Sequence, residues 1–392
     1  MKTTSAIGIA ASCVLLLTSC APHDDAGDRK TSTVLRAECY SVTEIDNRRF
    51  GGGVSPPVDL DERGRLLFQP FVWDNGTRSP LPLPAGWVLE MVTDFNERGD
   101  VVGMVRQGGG SIENRAVVWW SDGTIDLLPD VEPKLEVREI TERGHVLATA
   151  GATVSTSRGL IFRDGAWVDL GRGIAMDVNE KDEVVLVADR RVILWKDGAR
   201  IDLGVSGASE VKINGRSQIM VTAERAGPGT EAVFLWEAGV ARQLPGLAFL
   251  ADTQRSQGIA FNERGDVAGY VIVPGLSTFF TYPVLWRDGT PIVLADVNGS
   301  ALGLNEAGQV TGIDHTGGEL RPFVWDSGSY FELPKPFVAR SGTLWSAQGQ
   351  NINERGDVFW NLKPVDAISR TLLWRNDRCG NGSPEPPEPE PE

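Results

Sequence analysis

An apolar triplet ending in tryptophan and followed by a tight turn recurs eight times along the chain, and recurrence at a fixed spacing constrains a fold more than any composition does. The instances are FVWDNG from 71, VVWWSDG from 117, LIFRDG from 160, VILWKDG from 192, VFLWEAG from 233, VLWRDG from 284, FVWDSG from 323 and LLWRND from 372, with Phe162 standing where the others carry Trp. Ahead of each lies a second signature: LDERGRL, FNERGDVVG, ITERGHVL, VNEKDEVV, INGRSQIM, FNERGDVAG, LNEAGQVTG and INERGDVFW. The turn glycines Gly64, Gly99 and Gly144, then Gly265, Gly308 and Gly356, follow one another at steps of 35 to 48 residues. That period suits a four-stranded blade. The expectation is an all-β fold, a β-propeller of eight blades, with seven left open by the degenerate unit at 205–242.

Turn chemistry supports the strands independently. Asn-Glu-Arg-Gly puts Asn first and Gly fourth in a type I turn that closes a bulged hairpin between strands A and B. The Asp-Gly after each Trp suits a two-residue type I′ turn between strands C and D. Composition agrees, because 45 Gly, 23 Pro and 12 Trp against 5 Met in 392 residues favour short strands and turns over long helices. Acids outnumber bases by 53 to 38, and a net charge of −15 repels a phosphate backbone, which argues against nucleic acid as a partner.

The first residues read as an export signal. Lys2 precedes a short apolar run, 6–17, and small residues follow it, a pattern that suits a cleaved signal peptide over residues 1–19. The LTSC stretch ending at Cys20 resembles a bacterial lipobox, with Thr18 and Ser19 as variant positions. The resemblance implies that Cys20 becomes the lipidated (palmitate-bearing) first residue of a lipoprotein, and that Ala21 after it directs the chain to the outer membrane of the cell envelope. Residues 20–38 are polar and without periodicity, the composition of a flexible tether to the membrane. The Pro- and Glu-rich residues 380–392 read as a disordered acidic tail.

The repeated order W-x-D-G, D-L-G and I-N-E-x-G-x-V-V-G resembles the HAF repeat, a bacterial extracellular repeat expected to fold as a β-propeller. It covers about residues 39–379. The His-Ala-Phe triplet itself is absent, replaced by QPFVW, RAVVW, EAVFLW and RPFVW, so nothing that depends on that His carries over. The resemblance implies an exported repeat protein and supplies no reaction.

The two ends of the repeat complete each other. CYSVTEID, 39–46, alternates like a D strand without a C strand before it, whereas TLLWRND ends the last repeat without a D strand after it. Pairing them would finish the eighth blade and remove an exposed sheet edge. Cys39 and Cys379 flank these strands and, in an oxidising compartment, read as a disulfide worth roughly 4–5 kcal/mol on the chain-entropy model.

The search for chemistry yields little. The Trp residues at the repeat position suit packing between blades. Asp122, Asp164, Asp197 and Asp288 before Gly, and Glu97, Glu263, Glu306 and Glu354 after Asn, are explained by turn formation. His145, His315 and the group Asp314, His315 and Glu319 lack zinc-ligand spacing, no nucleophile elbow or phosphate loop is present, and neither metal nor cofactor is expected. Irregular segments gather at the end of the ring carrying the B–C and D–A connections, where Trp87 and Trp345 fall outside the repeat position and form the candidate ligand platform. The reading that needs only these features is a lipid-anchored, non-catalytic binding or scaffolding module, holding a protein or polysaccharide on that loop face. An envelope carbohydrate hydrolase or lyase at the mouth of the central channel would need two or three acids or His converging at the ring centre, beyond the turn acids. A structural subunit of an outer-membrane complex rests on fold analogy alone.

Overall fold

The computed structural model describes residues 36–46, 57–109, 114–131, 134–153, 155–225, 230–248, 255–274, 279–335, 344–364 and 370–378, without the side chains of 46, 274, 279, 344–350, 362–364 and 370. The signal, Cys20, the tether, Cys379 and the acidic tail lie outside the described residues. The described strands form eight four-stranded antiparallel sheets, the blades of a β-propeller. Blades 1 to 7 occupy 59–80, 87–127, 135–172, 174–206, 208–243, 255–293 and 299–332, and blade 8 takes 344–376 together with Tyr40–Asp46. The degenerate unit around residue 213 therefore makes a full blade, the fifth.

One register holds in every blade. The repeat tryptophan on strand C stands opposite the first residue of strand B, as in Leu66 and Trp73, Val101 and Trp119, Val184 and Trp195, Ile219 and Trp236, or Val358 and Trp374. All seven repeat tryptophans are at most 7% exposed. Their indole N–H groups also reach across the blade interface: Trp119, Trp286 and Trp374 donate to the carbonyls of Pro82, Pro245 and Pro334, which follow strand D of the preceding blade, at 2.7 to 2.9 Å. An amphipathic ring thus fills the gap between blades with its body and hydrogen-bonds a carbonyl of the neighbouring blade with its edge.

The turns take the forms their residues dictate. In the C–D hairpins Asp164 and Gly165, Asp197 and Gly198, and Asp288 and Gly289 all have positive φ, as a type I′ turn requires. Blade 2 departs: its extra Trp120 lengthens the turn, which closes from Trp120 N to Thr124 O at 2.9 Å, and Asp122 sits in a longer, bulged loop.

The N-terminal strand closes the ring. Tyr40–Asp46 pairs antiparallel with Arg370–Asn376, Tyr40 lying opposite Asn376 and Asp46 opposite Arg370. Buried Tyr40 donates its hydroxyl to Gly356 O at 2.8 Å, and Arg378 N donates to Cys39 O at 3.0 Å. Cys39 is buried and disulfide-bonded.

The tryptophans chosen as a loop platform are placed differently from expectation. Trp87 opens strand A of blade 2, Trp87–Phe95, and Trp345 lies within strand A of blade 8, Leu344–Ile352. Neither is in a D–A connection, because the apolar and polar alternation that continues from each toward the turn is itself a strand signal. Half-buried Trp87 packs with Val72, Leu89 and Ile125 around the blade 1 and 2 core, and the Trp345 side chain lies outside the described residues.

Candidate functional site

The A strands of neighbouring blades pack side by side around the central channel, and their turns build a ring of carboxylates at its mouth. In seven of the eight A–B turns a glutamate at the second turn position reaches back one blade and accepts the backbone N–H at the same position there. Glu97 accepts from Glu62 at 3.0 Å, Glu142 from Glu97 at 2.8 Å, Glu180 from Glu142 at 2.9 Å, Glu306 from Glu263 at 2.7 Å, Glu354 from Glu306 at 2.6 Å and Glu62 from Glu354 at 2.8 Å. Glu263 holds Gly215 N at 2.8 Å, while Gly215 offers no carboxylate to blade 4. These acids therefore do more than shape their own turns. Burial, together with the charges of Glu354 and Glu97, raises Glu62 to about 7, and burial also raises Glu97 and Glu306.

Inside the mouth runs a second tier, two residues before the first residue of each A–B turn. Blades 1 to 4 place Asp59, Asp94, Glu139 and Asp177 there, blade 5 Lys212 and blade 8 Asn351. Asp94 accepts from Ile140 N at 2.8 Å, Glu139 from Val178 N at 2.8 Å, Asp177 from Ile213 N at 2.7 Å, and Asp59 from Asn351 Nδ2 at 3.0 Å. Each carboxylate thus joins an adjacent pair of blades. Enclosure by protein raises all four, and at Asp59, Asp94 and Glu139 the crowding of like charges adds to it. Glu139 stands well above the carboxylate range, hydrogen-bonded to Asp177, whose own rise Lys212 opposes. Sequence reading missed this tier. Its signal was an acid two places before the first turn residue (Asp61, Asn96, Thr141 and Asn179) in four successive repeats, but only the ring shows that the four converge.

A third feature lies outside the channel, between blades 2 and 3. A cavity of 420 Å³ opens there, lined by Trp120, Asp126, Arg143, His145, Phe162 and Arg163 among others. Trp120 is fixed by its N–H to Asp126 Oδ2 at 2.8 Å and by packing against Gly144, where an added Cβ would stand 2.8 Å from the indole. Behind the cavity Asp182 binds His145 Nδ1 at 2.7 Å and Arg163 Nη1 at 3.0 Å, and Arg163 also lies 5.7 Å over the Trp195 ring. The groove is at the end of the ring that carries the regular turns, opposite to the loop face where recognition was expected.

Asp314, His315 and Glu319 are not drawn together as a ligand set. Asp314 pairs with Arg321 at 2.9 Å and Glu319 with Lys335 at 2.7 Å, while burial lowers the affinity of His315 for a proton. Among the described residues no group of three or more His, Cys, Asp or Glu is arranged to hold a metal ion.

No protein-family model matches the chain, and no curated protein sequence is similar to it. Solved structures similar in fold include the β-propeller domain of the trilobed protease from Pyrococcus furiosus, at 11% identity and TM-score 0.46, covering 74% of this chain and 95% of that one. The acylaminoacyl peptidase of Pyrococcus horikoshii is 12% identical with TM-score 0.46, over 74% of this chain and 52% of the peptidase. Dipeptidyl peptidase 4 of Porphyromonas gingivalis is 12% identical with TM-score 0.47, over 69% of this chain and 49% of that enzyme. This chain therefore spans about half the length of these two peptidases. Likeness at this level concerns the propeller fold alone.

Proposed function

We infer that the protein is a non-catalytic recognition module of the cell envelope, held at the outer membrane through lipidated Cys20, with a HAF-like propeller that holds a protein or polysaccharide. A disulfide from Cys39 to Cys379 completes the ring in this reading, supported by the bonded state of Cys39 and by the Arg378 N to Cys39 O contact at 3.0 Å. The observation that carries it is the aromatic-lined cavity between blades 2 and 3, a concave site with an aromatic floor and polar groups at its edge. Recognition then belongs to the regular-turn end, with the B–C and D–A loop face free for docking to other envelope components. The test immobilises the full lipidated chain in detergent and compares retention of solubilised envelope polysaccharide and protein by wild type and by Trp120→Ala. Retention that falls in a variant of unchanged circular dichroism is expected; equal retention would remove the groove from recognition.

The inner acidic tier favours a second reading, a carbohydrate hydrolase or lyase at the channel. Glu139, whose hold on a proton burial and the Asp177 charge strengthen, and Asp177, whose own rise Lys212 opposes, have the paired environments of a general acid and base. Reducing-end release from envelope polysaccharide by wild type, abolished in Glu139→Gln, would establish that reading and displace the first. Each of these acids already clamps a neighbouring blade, which is why the binding reading is preferred.

A further inference from the structure

We propose that the groove between blades 2 and 3 is a binding site for a carboxylated saccharide, created where the repeat departs from its own pattern. The inference rests on the recognition reading and names the ligand class of the same site.

The departures are three, and they meet. At the position opposite the first residue of strand B, seven blades carry Trp, whereas blade 3 carries Phe162 opposite Val146. The residue after it is charged in the other blades, namely Asp74, Arg163, Lys196, Glu237, Arg287, Asp326 and Arg375, but in blade 2 it is Trp120. The residue after the A–B turn is acidic, an amide or, in blade 1, Arg65, but in blade 3 it is His145. Trp120, His145 and Phe162 all line the one cavity.

The fold compensates for the exchange. Phe162 has no N–H for the carbonyl that the repeat tryptophan serves elsewhere, and Trp167 on the adjacent strand D takes over, donating to Pro129 O at 2.9 Å with its ring edge-on to Phe162 at 5.3 Å. The inter-blade bond survives and the space beside Phe162 is left open. A repeat that only needed to pack would have kept Trp there and required no second tryptophan.

The lining specifies the occupant. An indole face held rigid at both ends offers the flat apolar surface on which the C–H face of a pyranose packs. The polar groups are mostly donors: Arg163 is locked by Asp182, His145 is oriented by the same carboxylate, and exposed Arg143 has no carboxylate partner among the described residues. Asp126 accepts the Trp120 N–H, and Asp164 stands on the exposed turn. A guanidinium without a carboxylate partner beside an indole, in a chain of net charge −15, is a place for a ligand carboxylate. The volume of 420 Å³ falls at the small end of ligand sites, enough for one or two sugar rings of a longer chain.

The test titrates the full lipidated chain in detergent with hexamers of galacturonate and of mannuronate, and with maltohexaose as the neutral comparison, by calorimetry. Wild type should bind at least one uronate hexamer at least about tenfold more tightly than maltohexaose. Phe162→Trp, which restores the residue of the other blades, should weaken that binding by about tenfold or more, as should Trp120→Ala. Arg143→Met, on the exposed rim, should abolish the preference over maltohexaose while leaving the melting temperature unchanged. No uronate binding by wild type, equal binding of the neutral hexamer, or undiminished binding by Phe162→Trp each overturns the proposal. If the hexamers fail while Trp120→Ala still loses envelope retention, the ligand class falls and the recognition reading stands.

Discussion

Asn305 donates through Nδ2 to Gln309 Oε1 at 2.7 Å and to Asn353 O in the next blade at 2.9 Å, while its Oδ1 accepts from Gln309 N at 2.9 Å. The same side chain shapes its own turn and grips its neighbour, and Asn96, Asn179, Asn214, Asn262 and Asn353 repeat the reach to the adjacent carbonyl. Asn305→Ala leaves buried backbone groups unpaired and should cost about 1–3 kcal/mol in urea denaturation. A loss within error of zero would show that water replaces the amide. Glutamate at the next position sets a pH dependence. Glu62 rises from 4.5 to about 7, and Glu97, Glu306, Asp59, Asp94, Glu139 and Asp177 rise with it. Each binds its proton more tightly folded than unfolded, so its contribution is complete below the unfolded value and is lost as pH climbs through the folded one. For Glu62 that window runs from 4.5 to about 7. The melting temperature should therefore be higher near about pH 5 than near about pH 8, and Glu62→Gln should narrow the difference. A melting temperature that rises across this interval contradicts the assignment.

At the scale of the element, strand C decides whether two blades hold together. Trp286 is 1% exposed and donates to Pro245 O at 2.9 Å, so Trp286→Ala removes both a large packed ring and an inter-blade hydrogen bond. A loss of about 3–5 kcal/mol is expected by thermal or chemical denaturation. Strand order was legible because each segment carries its own evidence: an Asn-Glu-Arg-Gly turn before strand B, an Asp-Gly turn after strand C, and Phe162 visible as an exception. The starts of the A strands at Trp87 and Trp345 were not legible. The turn that launches Trp87, with Gly86 at positive φ and Trp87 N bonded to Pro84 O at 3.1 Å, ends an irregular connection, so the first residues of the strand read as part of that loop.

For the whole molecule, closure depends on seven residues from the far end of the sequence. Tyr40–Asp46 covers the free edge of Arg370–Asn376. Deleting 40–46 exposes that edge, and size-exclusion chromatography should then show a larger, more associated species than wild type. An equally stable deletion variant of unchanged apparent size would mean that the edge is protected by other means. With the proposed pairing of Cys39 and Cys379, Cys39→Ser should lower the melting temperature, with a smaller effect than the deletion. The sequence by itself determined the four-stranded repeat, most of the turn types, the core tryptophans and the pairing of the two ends, and it left seven or eight blades open. These follow from local periodicity and turn chemistry, which a single repeat already displays. Only the tertiary structure decided that four acids from separate repeats converge on one channel, and that Trp120, His145 and Phe162 share one cavity. Those residues are distant along the chain, and a repeat pattern records what each blade is without recording which departures will face each other once the ring has closed.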